Sequence, residues 1–150
     1  MKSIKFILYG FLVGALFAIF AGILFGAIPV LVIFGFRLDD PGQLLVMFGF
    51  AGLYSIAFAV LPGALGGAYL ARWLEGADRA PHEIKRRSLL VGAMAGLAAS
   101  LAFIGIVMQF GIDLMTFNFT VVAVIVAAGT SFLAARWLAK KKSKFIQPQP

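Results

Sequence analysis

The sequence predicts an all-α membrane protein: a bundle of four transmembrane helices, built as two duplicated helical hairpins with both termini on one side. Three observations predict it. Four long runs contain no Asp, Glu, Lys, Arg or His. Twelve of the thirteen Lys and Arg residues fall on one side of those runs. Two short sequences recur in matching places.

The runs are Phe6 to Phe36, Pro41 to Ala71, Leu89 to Ile112 and Leu114 to Ala135, and the shortest has 22 residues. At about 1.5 Å of rise per residue, a helix of that length reaches about 33 Å, enough for a hydrocarbon core of about 30 Å. Backbone in lipid has to satisfy its own polar groups, so the runs should be helices. Spans are therefore expected at about 6–36, 41–71, 88–112 and 114–137, in a single domain over 1–145. The polar, proline-containing stretch 146–150 is expected to be a disordered tail.

Composition agrees with that reading. The chain has 150 residues, 62% of them hydrophobic and 13% charged, with a mean hydropathy of +1.01. That is too little charge to cover a soluble domain. The absence of Cys excludes disulfides, thiolate metal sites and thiol catalysis, and the lone His82 cannot build a histidine cluster. Met1-Lys2-Ser3-Ile4-Lys5 and the apolar run behind it also resemble a signal peptide, with Val13-Gly14-Ala15 as a small-residue cleavage site. The run continues well past that point, so an uncleaved first span is expected.

The charges set the expected topology. Lys2 and Lys5 precede the first span. Arg72, Arg79, Lys85, Arg86 and Arg87 lie between the second and third. Arg136, Lys140, Lys141, Lys142 and Lys144 follow the fourth. Arg37 alone lies on the other side, with Asp39, Asp40 and Asp113. By the positive-inside rule both termini and the central loop are cytoplasmic, in what is expected to be a bacterial inner membrane. The net charge of +7 therefore reflects topology and not nucleic-acid binding. Trp73 and Trp137 each follow an arginine, Arg72 and Arg136, at a basic helix end, which marks these four residues as interfacial anchors. Lys85, Arg86, Arg87, Lys140, Lys141 and Lys142 are candidate contacts for anionic lipid, at about 1 kcal/mol per charge near the surface.

Leu12-Val13-Gly14-Ala15 recurs 78 residues later as Leu90-Val91-Gly92-Ala93, and Ala71-Arg72-Trp73-Leu74 recurs 64 residues later as Ala135-Arg136-Trp137-Leu138. The second match carries more weight, because Trp occurs nowhere else in the chain. Each copy has two spans and enters the membrane from the same side, so a pseudo-symmetry axis would run along the membrane normal.

Every span also carries small residues four apart. They are Gly10, Gly14, Ala18, Gly22 and Gly26 in the first, Ala51, Ser55, Ala59, Gly63, Gly67 and Ala71 in the second, Ser88, Gly92, Gly96 and Ser100 in the third, and Ala123, Ala127, Ser131 and Ala135 in the fourth. Burying Leu against Leu gains little in a bilayer, so helices associate through close backbone approach, which small residues allow. Such ladders build the fold of one subunit, or face outward and mediate oligomerisation and docking. The sequence leaves both open.

Pro62-Gly63 deep in the second span and Pro29 late in the first are expected to bend their helices. Ala80-Pro81-His82-Glu83 reads as a helix start, with Pro first and Glu in the first turn. Ion-coupled transport normally needs an ionisable residue at membrane depth, and the four apolar runs contain no Asp, Glu, Lys, Arg or His; their polar candidates are Tyr9, Tyr54, Ser55, Tyr69, Ser100, Thr130 and Ser131, with Gln109 and Asn118 nearer the outer surface. These suit hydrogen bonds between helices. No catalytic residue, cofactor or metal site is expected. The expected partners are the bilayer, anionic lipid, and other membrane subunits or a second copy of the chain.

The topology is directly testable. Alkaline phosphatase fused after Asp39 or Asp113 should be active in cells, and the same enzyme fused after Asp78 or Lys142 should be inactive. The opposite pattern would invert the assignment.

Overall fold

The computed structural model of the chain describes residues 2–33, 41–42, 45, 49, 52–53, 55–76, 78–106 and 114–146, and its regular structure is all helical. The elements are α1 (Lys2–Ile33), a π-helical turn (Ser55–Ala59) that runs into α2 (Val60–Glu75), α3 (Pro81–Ile106) and α4 (Leu114–Ile146). Among the described residues, four helices are long and apolar enough to cross a membrane: Ile4–Phe25, Ile56–Glu75, Pro81–Ile106 and Phe117–Phe145. Arg37, Asp39, Asp40, Asp113, Gln109, Tyr54 and the stretch 147–150 lie outside the described residues.

Local chemistry explains the helix ends. Pro81 opens α3, where its missing N–H is one that a first turn leaves unpaired anyway. The next amides are served, since Glu83 N and Ile84 N both donate to the Ala80 carbonyl at 3.0 and 3.1 Å. Pro62 behaves differently from a simple kink. A proline in a helix clashes with the carbonyl four residues back, here Phe58, and leaves an acceptor without its donor. The chain takes up that misfit as the π-helical turn Ser55–Ala59, which ends three residues before Pro62. α1 continues through Pro29 to Ile33.

α4 is the longest element, with 33 residues, about 50 Å at about 1.5 Å per residue. It carries Lys140, Lys141, Lys142 and Lys144 as the continuation of the helix, which ends at Ile146. Ala139 and the lysines are good helix formers, so nothing local stops it. The extension is also docked. Phe145 lies 5.7 Å from the Phe6 ring and 4.9 Å from that of Tyr9. Phe6 is completely buried by this.

α1 pairs with α2 and α3 pairs with α4, and the two pairs are joined chiefly by α1 against α4. Two buried clusters result. One sits at the basic end and includes Phe6, Val13, Leu70, Leu74, Ala134 and Leu138. The other holds Phe25, Ala99, Phe103 and Ala123, with Phe25 edge-on to Phe119 at 4.4 Å and Phe103 edge-on to Phe58 at 5.6 Å.

Phe145→Ala removes one half-buried ring and both of its aromatic contacts. It should lower unfolding stability in detergent by about 1–3 kcal/mol, whereas Lys144→Ala, on the exposed side, should leave it unchanged. An unaltered denaturation midpoint for Phe145→Ala would mean that the extension is not docked.

Candidate functional site

The ladders of small residues converge on the interior. Every described ladder residue is buried or half-buried, and none lies on the outer surface. The outer faces carry bulky side chains instead, among them Leu8, Leu12, Leu16, Leu61, Leu65, Leu90, Met94, Leu101 and Ile125. Gly26, Ala51 and Ser55 belong to the same ladders, but their side-chain positions lie outside the described residues.

Contact within each pair is backbone to backbone. A Cβ on Gly14 would collide with the Gly63 carbonyl oxygen and lie 2.9 Å from the Gly67 Cα. A Cβ on Gly67 would meet the Gly14 Cα at 2.7 Å, and one on Gly10 would meet the Gly67 carbonyl oxygen at 2.6 Å. In the other pair, a Cβ on Gly92 would collide with the Ala127 carbonyl oxygen and lie 2.7 Å from the Ala128 Cα. One on Gly96 would lie 2.8 Å from the Ala127 Cβ and 2.9 Å from the Ala123 carbonyl oxygen. Carbonyls thus occupy the places where side chains would start, so Cα hydrogens point at oxygens, a weak but recurrent helix contact.

The two interfaces use the same register. Gly14 meets Gly63 and Gly67, while Gly92, 78 residues on, meets Ala127 and Ser131, each 64 residues on. Gly63 meets Ala18, and Ala127 meets Gly96, at the same offsets. Burial follows suit. Gly10, Gly14, Ala18, Ala21, Gly22 and Phe25 are buried, and so are Ser88, Gly92, Gly96, Ala99, Ser100 and Phe103. Contacts between the pairs are exchanged in the same way: Tyr9 packs on Trp137 at 5.9 Å, and Arg87, the position matching Tyr9, lies 5.7 Å over Trp73. Asp78 and Lys142 are themselves 64 apart and pair with each other at 3.0 Å, the arrangement expected of matching positions that meet on a two-fold axis.

Where the four ladders face one another they leave a cavity of about 60 Å³. Gly14, Ala18, Gly22, Ala59, Gly63, Gly67, Gly92, Gly96, Ala127 and Ser131 all line it. Thr130 and Ser131 supply its side-chain hydroxyls among otherwise apolar residues. Hydroxyls were expected to tie helices together, yet the buried ones bond within their own helix. Ser100 Oγ donates to the Gly96 carbonyl at 2.9 Å, Ser88 Oγ to that of Ile84 at 2.7 Å, and Thr130 Oγ1 to that of Val126 at 2.9 Å. Ser88 and Ser100 match Gly10 and Gly22, and a serine folded back in this way serves as a small residue.

The second concentration of chemistry is the basic end. Trp73 is covered by Arg79 at 5.0 Å and by Arg87, neither of which is its sequence neighbour Arg72. Arg87 also lies 5.4 Å over the Tyr69 ring and donates to its hydroxyl. Arg87 and Lys142 are therefore engaged within the protein. Arg86 and Lys140 are exposed and Lys141 is half-buried, while Lys85, His82 and Arg136, also exposed, line one open cleft. These aromatic–cation contacts escaped the sequence reading, although Tyr69 lies four residues before Trp73 and so on the same helix face. Among the described residues no group of three or more His, Cys, Asp or Glu side chains could hold a metal. Comparison with known protein families, curated protein sequences and solved structures finds no match to this chain.

Because a Cβ would meet backbone at both interfaces, Gly14→Ala and Gly92→Ala should each destabilise the folded protein by about 1–3 kcal/mol. Gly129→Ala meets nothing within 4 Å and should be neutral or stabilising by about 0.5–1 kcal/mol. Unfolding in mixed micelles measures all three. Equal tolerance would remove the close-approach argument.

Proposed function

We propose that this chain is a non-enzymatic integral membrane protein made of a duplicated helical hairpin, with both termini cytoplasmic. It acts as an accessory or assembly subunit of a larger inner-membrane complex, or as a homo-oligomer. The observation that carries this reading is the interior. Ladders from all four helices are spent on contact inside the bundle, and what remains is a cavity of about 60 Å³ walled mostly by Gly, Ala and aliphatic groups. Such a space offers no acid, base or polar path, so the work falls to the outer faces and the basic end. The duplication is supported by the shared register of Gly14 with Gly63 and of Gly92 with Ala127, at the offsets of the sequence repeat.

The structure changes the ground for this proposal. Outward-facing ladders were one motive for expecting a partner, and the described ladder residues face inward. Contact with another subunit would have to use the bulky outer faces or the cationic end. A second reading, a small channel or uniporter for a neutral solute without ion coupling, has one observation in its favour. The cavity touches all four helices and is lined by Ala59 and Gly63, beside the π-helical turn and Pro62. Single π turns recur at functional sites.

Two measurements separate the readings. Native protein extracted gently should run as an oligomer or with a copurifying membrane subunit; a bare monomer would overturn the proposal. Reconstituted into liposomes, it should pass no solute. Saturable passive flux would favour the channel, and accumulation driven by a proton or sodium gradient would overturn both.

A further inference from the structure

A cleft of about 300 Å³ opens between the first turn of α3 and the basic end of α4, lined by Pro81, His82, Ile84, Lys85, Phe132 and Arg136. We propose that this cleft is a binding site for the phosphate headgroup of an anionic phospholipid, held by Lys85 and Arg136, with Phe132 and Ile84 receiving the glycerol and first acyl carbons. The inference is independent of whether the outer faces dock another protein.

Three observations carry it. First, the lining is mixed in the way a headgroup boundary requires. Two cations and an imidazole face one space with a phenyl ring and an aliphatic side chain. The Arg136 guanidinium sits 5.7 Å over the Phe132 ring, so its donor edge is left free for a phosphate, the planar donor geometry that suits such an anion. Among the described residues neither Lys85 nor Arg136 forms an ion pair, whereas Lys142 does. Secondly, the cleft lies at the end of α4 that carries exposed apolar surface. Leu133 is 49% exposed and Trp137 40% exposed in the same turns of the helix as Phe132 and Arg136, which puts Arg136 at the height along the helix where an indole sits among headgroups. Basic clefts between membrane helices at that depth suit anionic headgroups.

Thirdly, three of these residues, His82, Lys85 and Phe132, are not repeated in the first hairpin. At the repeat offsets His82 matches Ile4, Lys85 matches Ile7, Phe132 matches Ala68, and Arg136 matches Arg72. The first hairpin makes the same interface with apolar side chains at three of those four positions. Topology does not require the convergence either, because Arg86, Lys140 and Lys141 already supply positive charge at this end outside the cleft. Lys85 and His82, which have apolar counterparts in the first hairpin, gather with the shared Arg136 around one space and point to a ligand.

The test uses the full-length protein in phosphatidylcholine nanodiscs, titrated with chain-labelled phosphatidylglycerol. The variant Lys85→Gln/Arg136→Gln is compared with Arg86→Gln/Lys140→Gln, which removes the same charge from exposed positions outside the cleft. The cleft variant should lose about ten-fold more affinity than the control, the loss expected of two solvent-exposed charge contacts. Equal losses would overturn the site and leave only diffuse attraction to the surface. Should the double variant not fold, Lys85→Gln against Arg86→Gln gives the same comparison, with about three-fold expected and equality again overturning the site. Inorganic phosphate should lower lipid binding no more than sodium chloride at the same ionic strength, to within about two-fold, since screening acts in both. Full displacement by phosphate would overturn the lipid assignment in favour of a free anion.

Discussion

The structure depends on backbone meeting backbone. In a bilayer the hydrophobic effect is spent once the spans are inserted, since a leucine is as well solvated by lipid tails as by another leucine. What can still hold two helices together is dispersion between surfaces that come very close, and a Cβ is enough to prevent it. Gly14 against Gly63 and Gly67, and Gly92 against Ala127 and Ser131, meet that condition. The rest follows from it. Side chains small enough to allow contact are too small to fill the middle of four helices, which is why a cavity remains where the ladders face one another. Serines at the matching rungs have to hide their hydroxyls on their own helix, as Ser88 and Ser100 do.

The same constraint explains what was legible in the sequence. Lipid allows so few backbone solutions that length and the absence of charge were sufficient to place four helices. The four-residue spacing of small residues was equally plain. Their direction was not. In a soluble helix the polar face marks the outside, but here both faces are apolar, so nothing in the pattern of Gly10, Gly14 and Ala18 says whether they look toward a neighbour in the same chain or away from it. The proline at 62 was visible in the sequence, and the π-helical turn Ser55–Ala59 just before it was not. The end of the fourth helix was also set too early, because a lysine cluster reads as solvent. Phe145, docked on Phe6 and Tyr9, carries the helix past it.

At the basic end, sequence adjacency was a poor guide to contact. Arg72 and Arg136 precede the two tryptophans, but consecutive helix residues point about 100° apart, so a neighbour in sequence is seldom a neighbour in space. The cations over Trp73 come from the loop and the next helix, as Arg79 and Arg87. Only the turn between α2 and α3 brings them back. The Asp78 and Lys142 pair illustrates a different point. Asp78 is fully exposed, and exposed ion pairs contribute little to stability. The aromatic contacts of Phe145 do more to hold the end of α4.

On the proposed reading of a duplicated hairpin, each helix pair serves as a control for the other, and this bears on which residues are there for the fold. Positions that agree between the two pairs, such as Gly14 with Gly92 or Leu74 with Leu138, are accounted for by the shared geometry. Positions that differ are not, because one hairpin demonstrates that the other could do without them. By that criterion Val13 and Val91 are structural, and so is a tryptophan at each helix end. His82, Lys85 and Phe132 fall in the second group, with Ile4, Ile7 and Ala68 at the matching positions. Chemistry specific to this protein is then to be sought at the differences. The differences at the centre, such as Phe17 with Ala95, exchange one uncharged group for another, whereas the differences that carry charge gather at the basic end.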